Sequence, residues 1–569
     1  MHNLAQTLKP LFIEAARSAF PELSPQQLLE WVTVEDPKDA SHGDYACPLA
    51  LRLAKVLGKA PLALAQTLAE SFPKDLRVEK VEAVAPGFVN LTLNPAFLGE
   101  CLKELEQGFS VQNEVEHERP VIVEYPSTNA AKHMGVHHIL TTVIGDALAN
   151  LFEFMGYPVL RINHFGDWGT HFGKLIYAVE NWGDKKKIHA KPTDELNRLY
   201  VQFNKETEEK PELEDEARAI FKSLEQGDSK RLELWQWIVQ ESLEELNRIL
   251  ARLWIQVGNH MGESFYLKKA EDVLADGIAK KLFVEGEGGS LIFSMGEDET
   301  PALIQKSDGT TLYLTRDVAT VKYRVDTWHP EAILYVVDYA QNLHFKQNFA
   351  IAQALNYAED SSLEHIAFGR MRFADGSMST RKGTVIKLED LLDESVVRAR
   401  ALAKSTDMPR EELERMLEVI GVSALKYALL TQDRIKDVVF DWDKIITLEG
   451  NSAPYLLYSY ARAHSLFSKA DGFALSGLPT LSDPAEVELI SQMVKFPQVL
   501  ERALAERKPH NVATYLYELA QNFNRFYGKV QILQAEKDAK RTRLGLTAAF
   551  LHQMKAGLSI LGVPVLERM

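Results

Sequence analysis

Cysteine is almost missing: the 569-residue chain carries two, Cys47 and Cys101. Two cannot supply a disulfide framework or a four-cysteine zinc site, so no zinc is expected and a reducing cytoplasm fits best. No apolar run approaches the roughly 18–20 residues that cross a bilayer, which argues against any membrane role. Met1-His-Asn-Leu-Ala-Gln has no basic stretch followed by an apolar one, so no secretory signal is expected. Neither G-x-x-x-x-G-K-[ST] nor G-x-G-x-x-G occurs, which excludes a P-loop or a dinucleotide fingerprint. Positive charge is in short supply, with 64 Lys and Arg against 80 Asp and Glu and a net charge of −16. That balance does not point to nucleic acid, although local basic faces can bind phosphate on an acidic protein.

What is present is concentrated between Val121 and Lys174. Val121-Ile-Val-Glu-Tyr125 has the composition of a buried strand. From His138, the spacing of Leu140, Ile144, Leu148, Leu151 and Met155 predicts a helix, with Gly156 as its C-terminal stop. Tyr157 to Ile162 predicts a second strand. A strand–loop–helix–strand unit makes the two strands parallel neighbours in a doubly wound sheet, whose ligands bind beyond the strands' carboxyl ends. The intervening loop and helix start carry Asn129, Lys132, His133, Gly135, His137 and His138. Histidines and a lysine at a helix N-terminus suit a polyphosphate transition state, because they place donors where charge develops. A solvated polar cap is the alternative for this loop taken alone.

Elsewhere, residues 1–110 read as a small α/β module with a strand–turn–strand over Val81–Leu93. Leu213 to Ile255 is strongly helical, with Trp235, Trp237, Leu243, Leu246 and Ile249 on its core face and no chemistry of its own. Phe283 to Phe293 predicts a hairpin around a glycine-rich turn that no helix follows. Tyr313 and Asp317 share a face if their segment is helical, and Ile333–Val337 predicts another buried strand. Met371-Arg-Phe-Ala-Asp-Gly-Ser-Met-Ser-Thr-Arg-Lys-Gly383 is a basic loop, and beyond Asp390 the chain is nearly all helix.

Asn129-Ala-Ala-Lys132, Ile144-Gly-Asp-Ala-Leu148, Arg161-Ile-Asn-His-Phe-Gly-Asp-Trp-Gly-Thr170 and Phe172-Gly-Lys-Leu175 closely resemble the catalytic core of arginyl-tRNA synthetases, which are class I aminoacyl-tRNA synthetases. The resemblance covers nearly the whole chain. It implies an α/β fold: a doubly wound, parallel, Rossmann-like catalytic domain over 118–400 with a helical insertion at about 181–268. An N-terminal α/β domain that contacts tRNA (1–110) and a C-terminal all-α anticodon-binding bundle (405–569) would flank it. The implied activity is ATP-dependent ligation of L-arginine to tRNA(Arg) through arginyl-adenylate, by a cytoplasmic monomer, with magnesium arriving on ATP. Glu124, Asn129, Tyr313, Asp317 and Gln341 correspond to the positions that hold arginine. An acidic pocket is the right chemistry for a guanidinium, which has five donors and no acceptor. Lys132, Gly135, His137, His138, Ser379, Arg381 and Lys382 correspond to catalytic positions. His133, Gly135, His138, His344, Met371 and Met378 correspond to ATP-binding ones, and Tyr458, Tyr527 and Met569 to tRNA contacts.

The chain departs from the family in its first signature. Where H-x-G-H is usual, an ungapped register reads Gly135-Val136-His137-His138, with histidine and glycine exchanged. A shifted register would use His133-Met134-Gly135-Val136 and lose the second histidine. The ungapped one keeps the Asn129-to-Asp146 spacing and gives the phosphate-donor role to His138. In the second signature, Ser377 and Thr380 stand where lysines are usual, and Lys132 is expected to take over the inner lysine's role. A non-catalytic relative that binds tRNA or senses arginine, or another class I synthetase, are the rival readings.

Overall fold

The computed structural model describes residues 2–110, 116–297, 299–309, 312–373, 387–402, 408–470 and 474–569. The chain divides into two compact units, one of Met1–Glu114, Leu448–Ser559 and Pro564–Met569, the other of Val115–Thr447 and Ile560–Val563.

The second unit is built on a five-stranded sheet: β1 (Val121–Glu124), β2 (Val159–Phe165), β3 (Asn259–Gly262), β4 (Ala332–Tyr335) and β5 (Ser362–His365). Its spatial order is β5-β4-β1-β2-β3, and every pairing is parallel. This is the doubly wound arrangement expected, with the strand order reversing between β1 and β4. All four residues of β1 and of β4 are buried, as strands covered on both faces must be. α1 (His138–Phe154) leads from β1 to β2 and ends at Met155, after which Gly156 takes φ 85°. α1 comes close to the end of β1 through Gly145: a Cβ there would meet the Tyr125 ring at 2.5 Å.

Between β2 and β3 the chain leaves the sheet for five helices, His171–Trp182, Lys185–Ala190, Pro192–Glu209, Leu213–Glu225 and Ser229–Arg252. They bury their own apolar centre, including Leu199, Phe203, Ile220 and Ile238. The helical stretch read from Leu213 onward is two helices, broken where Gly227 adopts φ 87° and Asp228 caps the second by accepting from the Arg231 amide. Trp235 donates its indole N–H to the Asp167 carbonyl at 2.8 Å, so part of its expected core face instead braces the Gly-Asp-Trp-Gly turn. Asp167 accepts from the amide and hydroxyl of Ser264 at 2.9 and 2.6 Å, which ties that turn to the segment after β3.

After β3, Phe283–Glu285, Leu291–Phe293 and Ala302–Gln305 form a separate antiparallel sheet, with the glycine-rich turn as its hairpin. α2 (Tyr313–Trp328) then leads into β4, and α3 (Asn342–Ala354) into β5. Met371–Phe373 pairs with Val438–Phe440. The helix Arg410–Leu430 and the chain to Thr447 stay with this unit, although the sequence expectation assigned everything past 405 to the helical bundle.

In the first unit, Tyr45–Cys47, Phe88–Leu93 and Val78–Val84 form a three-stranded antiparallel sheet with helices on it. Cys47 and Cys101 are free and buried, and burial pushes each thiol up to about 12, so neither is a reactive thiolate. The same unit holds the C-terminal helices from Ala453 as far as Ser559. Arg541 and Glu106 form a buried two-bond ion pair between its N- and C-terminal parts. Among the described residues no helix is long and apolar enough to cross a membrane.

Candidate active site

Neighbouring parallel strands whose connections leave in opposite directions open a crevice at their carboxyl ends, and β1 and β4 are such a pair. A cavity of about 300 Å³ lies there, walled by Glu124 from β1, Asp317 from α2, Gln341 and His344 at the start of α3, and His137 and His138 at the start of α1. A second cavity of about 710 Å³ shares His137 and His138 as its wall and continues past Asn129, Lys132, His171 and Lys387.

His138 opens α1 and faces both cavities. The Gly135 amide donates to its Nδ1 at 3.1 Å. Burial, helped by the neighbouring His137 ring, pushes its pKa down to about 4, so the imidazole is neutral near pH 7. With Nδ1 accepting, the ring proton sits on Nε2 as a donor for an anion at the helix N-terminus. His137 is exposed, its ring 3.9 Å from that of His138. Of the two cavities His133 lines only the larger, 3.3 Å from Asp194 of the helical insertion, and the Lys387 ammonium pairs with the same carboxylate at 2.5 Å. The insertion therefore sets a charged group beside the loop. His138, and not His133, reaches the smaller cavity. Lys132 is exposed on the larger one.

Of the five residues matched to arginine-binding positions, Glu124, Asp317 and Gln341 line one cavity. Tyr313 stands at the first turn of α2, 61% exposed, with the Arg316 guanidinium 4.6 Å over its ring. Asn129 is on the wall of the larger cavity, where its chain bridges to Gly166. His344, matched to an ATP position, bonds Asp317 through Nε2 at 2.7 Å, and His164 Nε2 lies 3.7 Å from the other carboxylate oxygen. Burial opposes charge on His344, but its hydrogen bond and attraction to Asp317 win, so its pKa is raised.

Sequence reasoning missed a further layer. Glu124 is paired with Arg324 at 2.5 Å, with the Arg324 side chain fully buried and that of Glu124 7% exposed. The sequence signal was available: Asp317, Thr320 and Arg324 recur at helical spacing, placing one stripe of α2 along the cavity and behind it. Tyr335 and Asn348, which also line the cavity, were not singled out.

Met371 is half-buried where its strand begins. Ser377, Met378, Ser379, Thr380, Arg381 and Lys382 lie outside the described residues. In the other unit, Tyr458 and Tyr527 are 39% and 38% exposed. The Arg462 guanidinium lies 4.8 and 5.2 Å over their rings and is anchored by Asn524 at 3.1 Å. Met569 is half-buried at the C-terminal end of the chain.

Residues 101–442 match the family model for the class I (R) tRNA synthetase catalytic domain, residues 456–569 that for the DALR anticodon binding domain, and residues 2–93 that for the arginyl tRNA synthetase N terminal domain. The arginine–tRNA ligases of Fusobacterium nucleatum and Clostridioides difficile are each 37% identical to the chain, over 96% and 99% of it and 97% and 100% of their own lengths. The arginyl-tRNA synthetase structures from Plasmodium falciparum and Thermus thermophilus superpose with TM-scores of 0.84 and 0.82 at 24% identity, each covering 100% of both chains, which bears on the fold. With three family models matched in order and relatives this similar over nearly its full length, the chain belongs to the class I arginyl-tRNA synthetases.

Proposed function

We propose that the protein ligates L-arginine to tRNA(Arg) with ATP, in the cytoplasm and as a monomer. The observation that carries this reading is the cavity at the strand-order switch, where an acidic end (Glu124, Asp317) faces a neutral histidine donor at a helix N-terminus. Arginine would lie with its guanidinium toward Asp317 and its carboxylate toward His138. The carboxylate attacks the α-phosphate of ATP in line, pyrophosphate leaves, and the tRNA 3′ adenosine then takes the arginyl group. The chain mainly positions reactants and stabilises charge. The larger cavity, with Arg198 and Lys387, would receive the tRNA end, while Lys132 on its wall is assigned to the ATP phosphates in place of the inner lysine. Ser379, Arg381 and Lys382 are assigned to the pyrophosphate on the family's pattern. Asp317 is committed to His344 and Glu124 to Arg324, which suits a magnesium ion held by phosphates and water.

In this reading 1–110 contacts the tRNA body and the C-terminal helices take the anticodon, with Tyr458 and Tyr527 offering ring faces to unpaired bases. The test is charging of total tRNA by the purified protein with each labelled amino acid in turn. Arginine alone should be accepted. Failure to charge with tRNA binding intact would favour a non-catalytic relative.

His138→Ala should lower kcat about a hundredfold, the cost of removing one preorganised donor, with a much smaller change in KM for arginine. Steady-state charging separates the two. An unchanged kcat would remove His138 from the phosphate site.

A further inference from the structure

The wall of the smaller cavity holds a polar residue whose hydrogen-bonding groups have no partner among the described residues. Asn348 is fully buried, at 0% exposure, and neither its Oδ1 nor its Nδ2 has a hydrogen-bond partner among the described residues. Buried amides are normally satisfied, so an orphaned one on a cavity wall points to what fills the cavity. Asn348 follows Gln341 by seven residues and His344 by four, on the face of α3 that lines this space. Its helix neighbours on that side are apolar, Phe345, Ile351 and Ala352, so the pattern alone would place a hydrophobic residue here. Tyr335, at the end of β4, lines the same cavity and is 2% exposed.

We infer that Asn348 is a further specificity-determining residue, whose Oδ1 accepts an N–H of the arginine guanidinium, with the Tyr335 hydroxyl beside it. This rests on the arginine-ligase reading and names a residue that reading does not contain. A guanidinium has five N–H donors to satisfy. Asp317 already spends one oxygen on His344, and Glu124 is paired with Arg324, so these two carboxylates do not have all their acceptor sites free. Asn348 and Tyr335 add neutral acceptors where a third carboxylate would have to be buried beside two others. They also shape selectivity: a lysine ammonium has three donors and lacks the planar fork, so it would leave acceptors on this wall unpaired.

The experiment uses the full chain in tRNA charging, with KM for arginine and for ATP measured separately and the melting temperature followed without ligands. Asn348→Leu keeps the size and removes both polar groups. It should raise KM for arginine by about ten- to hundredfold, the worth of one hydrogen bond to a charged group, and leave KM for ATP unchanged. Its ligand-free melting temperature should hold or rise, because the orphaned groups are gone. A lowered melting temperature with arginine KM within twofold of the unsubstituted protein would show a structural amide and overturn the inference. Should Asn348→Leu not fold, Asn348→Ala removes both polar groups without filling the space: arginine KM should again rise about ten- to hundredfold, and a value within twofold of the unsubstituted protein would overturn the inference. If the unsubstituted protein does not charge arginine, the ligase reading falls and takes this inference with it. If it does, an unaffected Asn348→Leu removes this inference alone.

Discussion

Asp317→Ala is expected to lower kcat/KM for arginine by about a hundred- to thousandfold, the equivalent of about 3–4 kcal/mol. The physical reason is an imbalance rather than a missing contact. A guanidinium brought into a closed cavity gives up its hydration, and the carboxylate is what makes that exchange favourable. With Glu124 already paired to Arg324, Asp317 supplies the negative charge that the chain's own guanidinium has not claimed. The substitution also releases His344, whose raised pKa depends on Asp317. Burial then acts alone on that ring and favours its neutral form. The loss should therefore fall mainly on KM, since the proposed pose sets Asp317 at the end of the substrate away from the reacting carboxylate. Charging kinetics over a wide arginine range, with tRNA and ATP saturating, read this directly. Wild-type arginine kinetics in Asp317→Ala would sink the pocket assignment.

How much of this was legible beforehand depended on whether a signal was local. β1 and α1 follow from periodicity and a stop glycine, and the parallel pairing of β1 and β2 from the length of the connection between them. The long run through Asn163, Asp167 and Trp168 was visible as a motif. Its work, however, is to fasten β2, the segment after β3 and the insertion to one another, and this needed the Ser264 and Trp235 contacts. The choice between two histidines in the rearranged first signature rested on the Asn129-to-Asp146 spacing, which favours His138 although both registers place a histidine near a helix start. The sequence did not show that Asp194, 61 residues beyond His133 in the chain, lies beside that ring. Exposure was equally illegible for Tyr458 and Tyr527: both lie in apolar stripes, and only the Arg462 side chain between them marks their rings as a surface. Asn348 was overlooked because one asparagine in a helix is unremarkable until its two polar atoms are seen to lack partners.

Arg324→Leu tests whether the acidic end of the cavity depends on the arginine behind it. Removing one partner of a buried ion pair typically costs about 3–5 kcal/mol, because the other charge is left in a low-dielectric site. Arg324 has no exposed surface, and its charge survives burial that opposes it because Glu124 lies against it. The single substitution should thus strand Glu124 and destabilise the unit by that amount in denaturant titration. Replacing both partners, as in Glu124→Gln with Arg324→Leu, should recover much of the stability, since two matched neutral groups leave no charge unpaired. The arginine ligand separates the pair's two roles. In Arg324→Leu the stranded carboxylate can still meet a guanidinium that enters from the cavity, so added arginine should raise the melting temperature more than it does in the unsubstituted protein. In the double variant that carboxylate is gone, and added arginine should stabilise less than normal. A loss below about 1 kcal/mol in the single variant, or equal arginine-induced shifts in all three proteins, would mean that Glu124 is held by its strand alone. The opposite pattern would make one buried arginine the reason that the site presents its first acid in a fixed place to receive another.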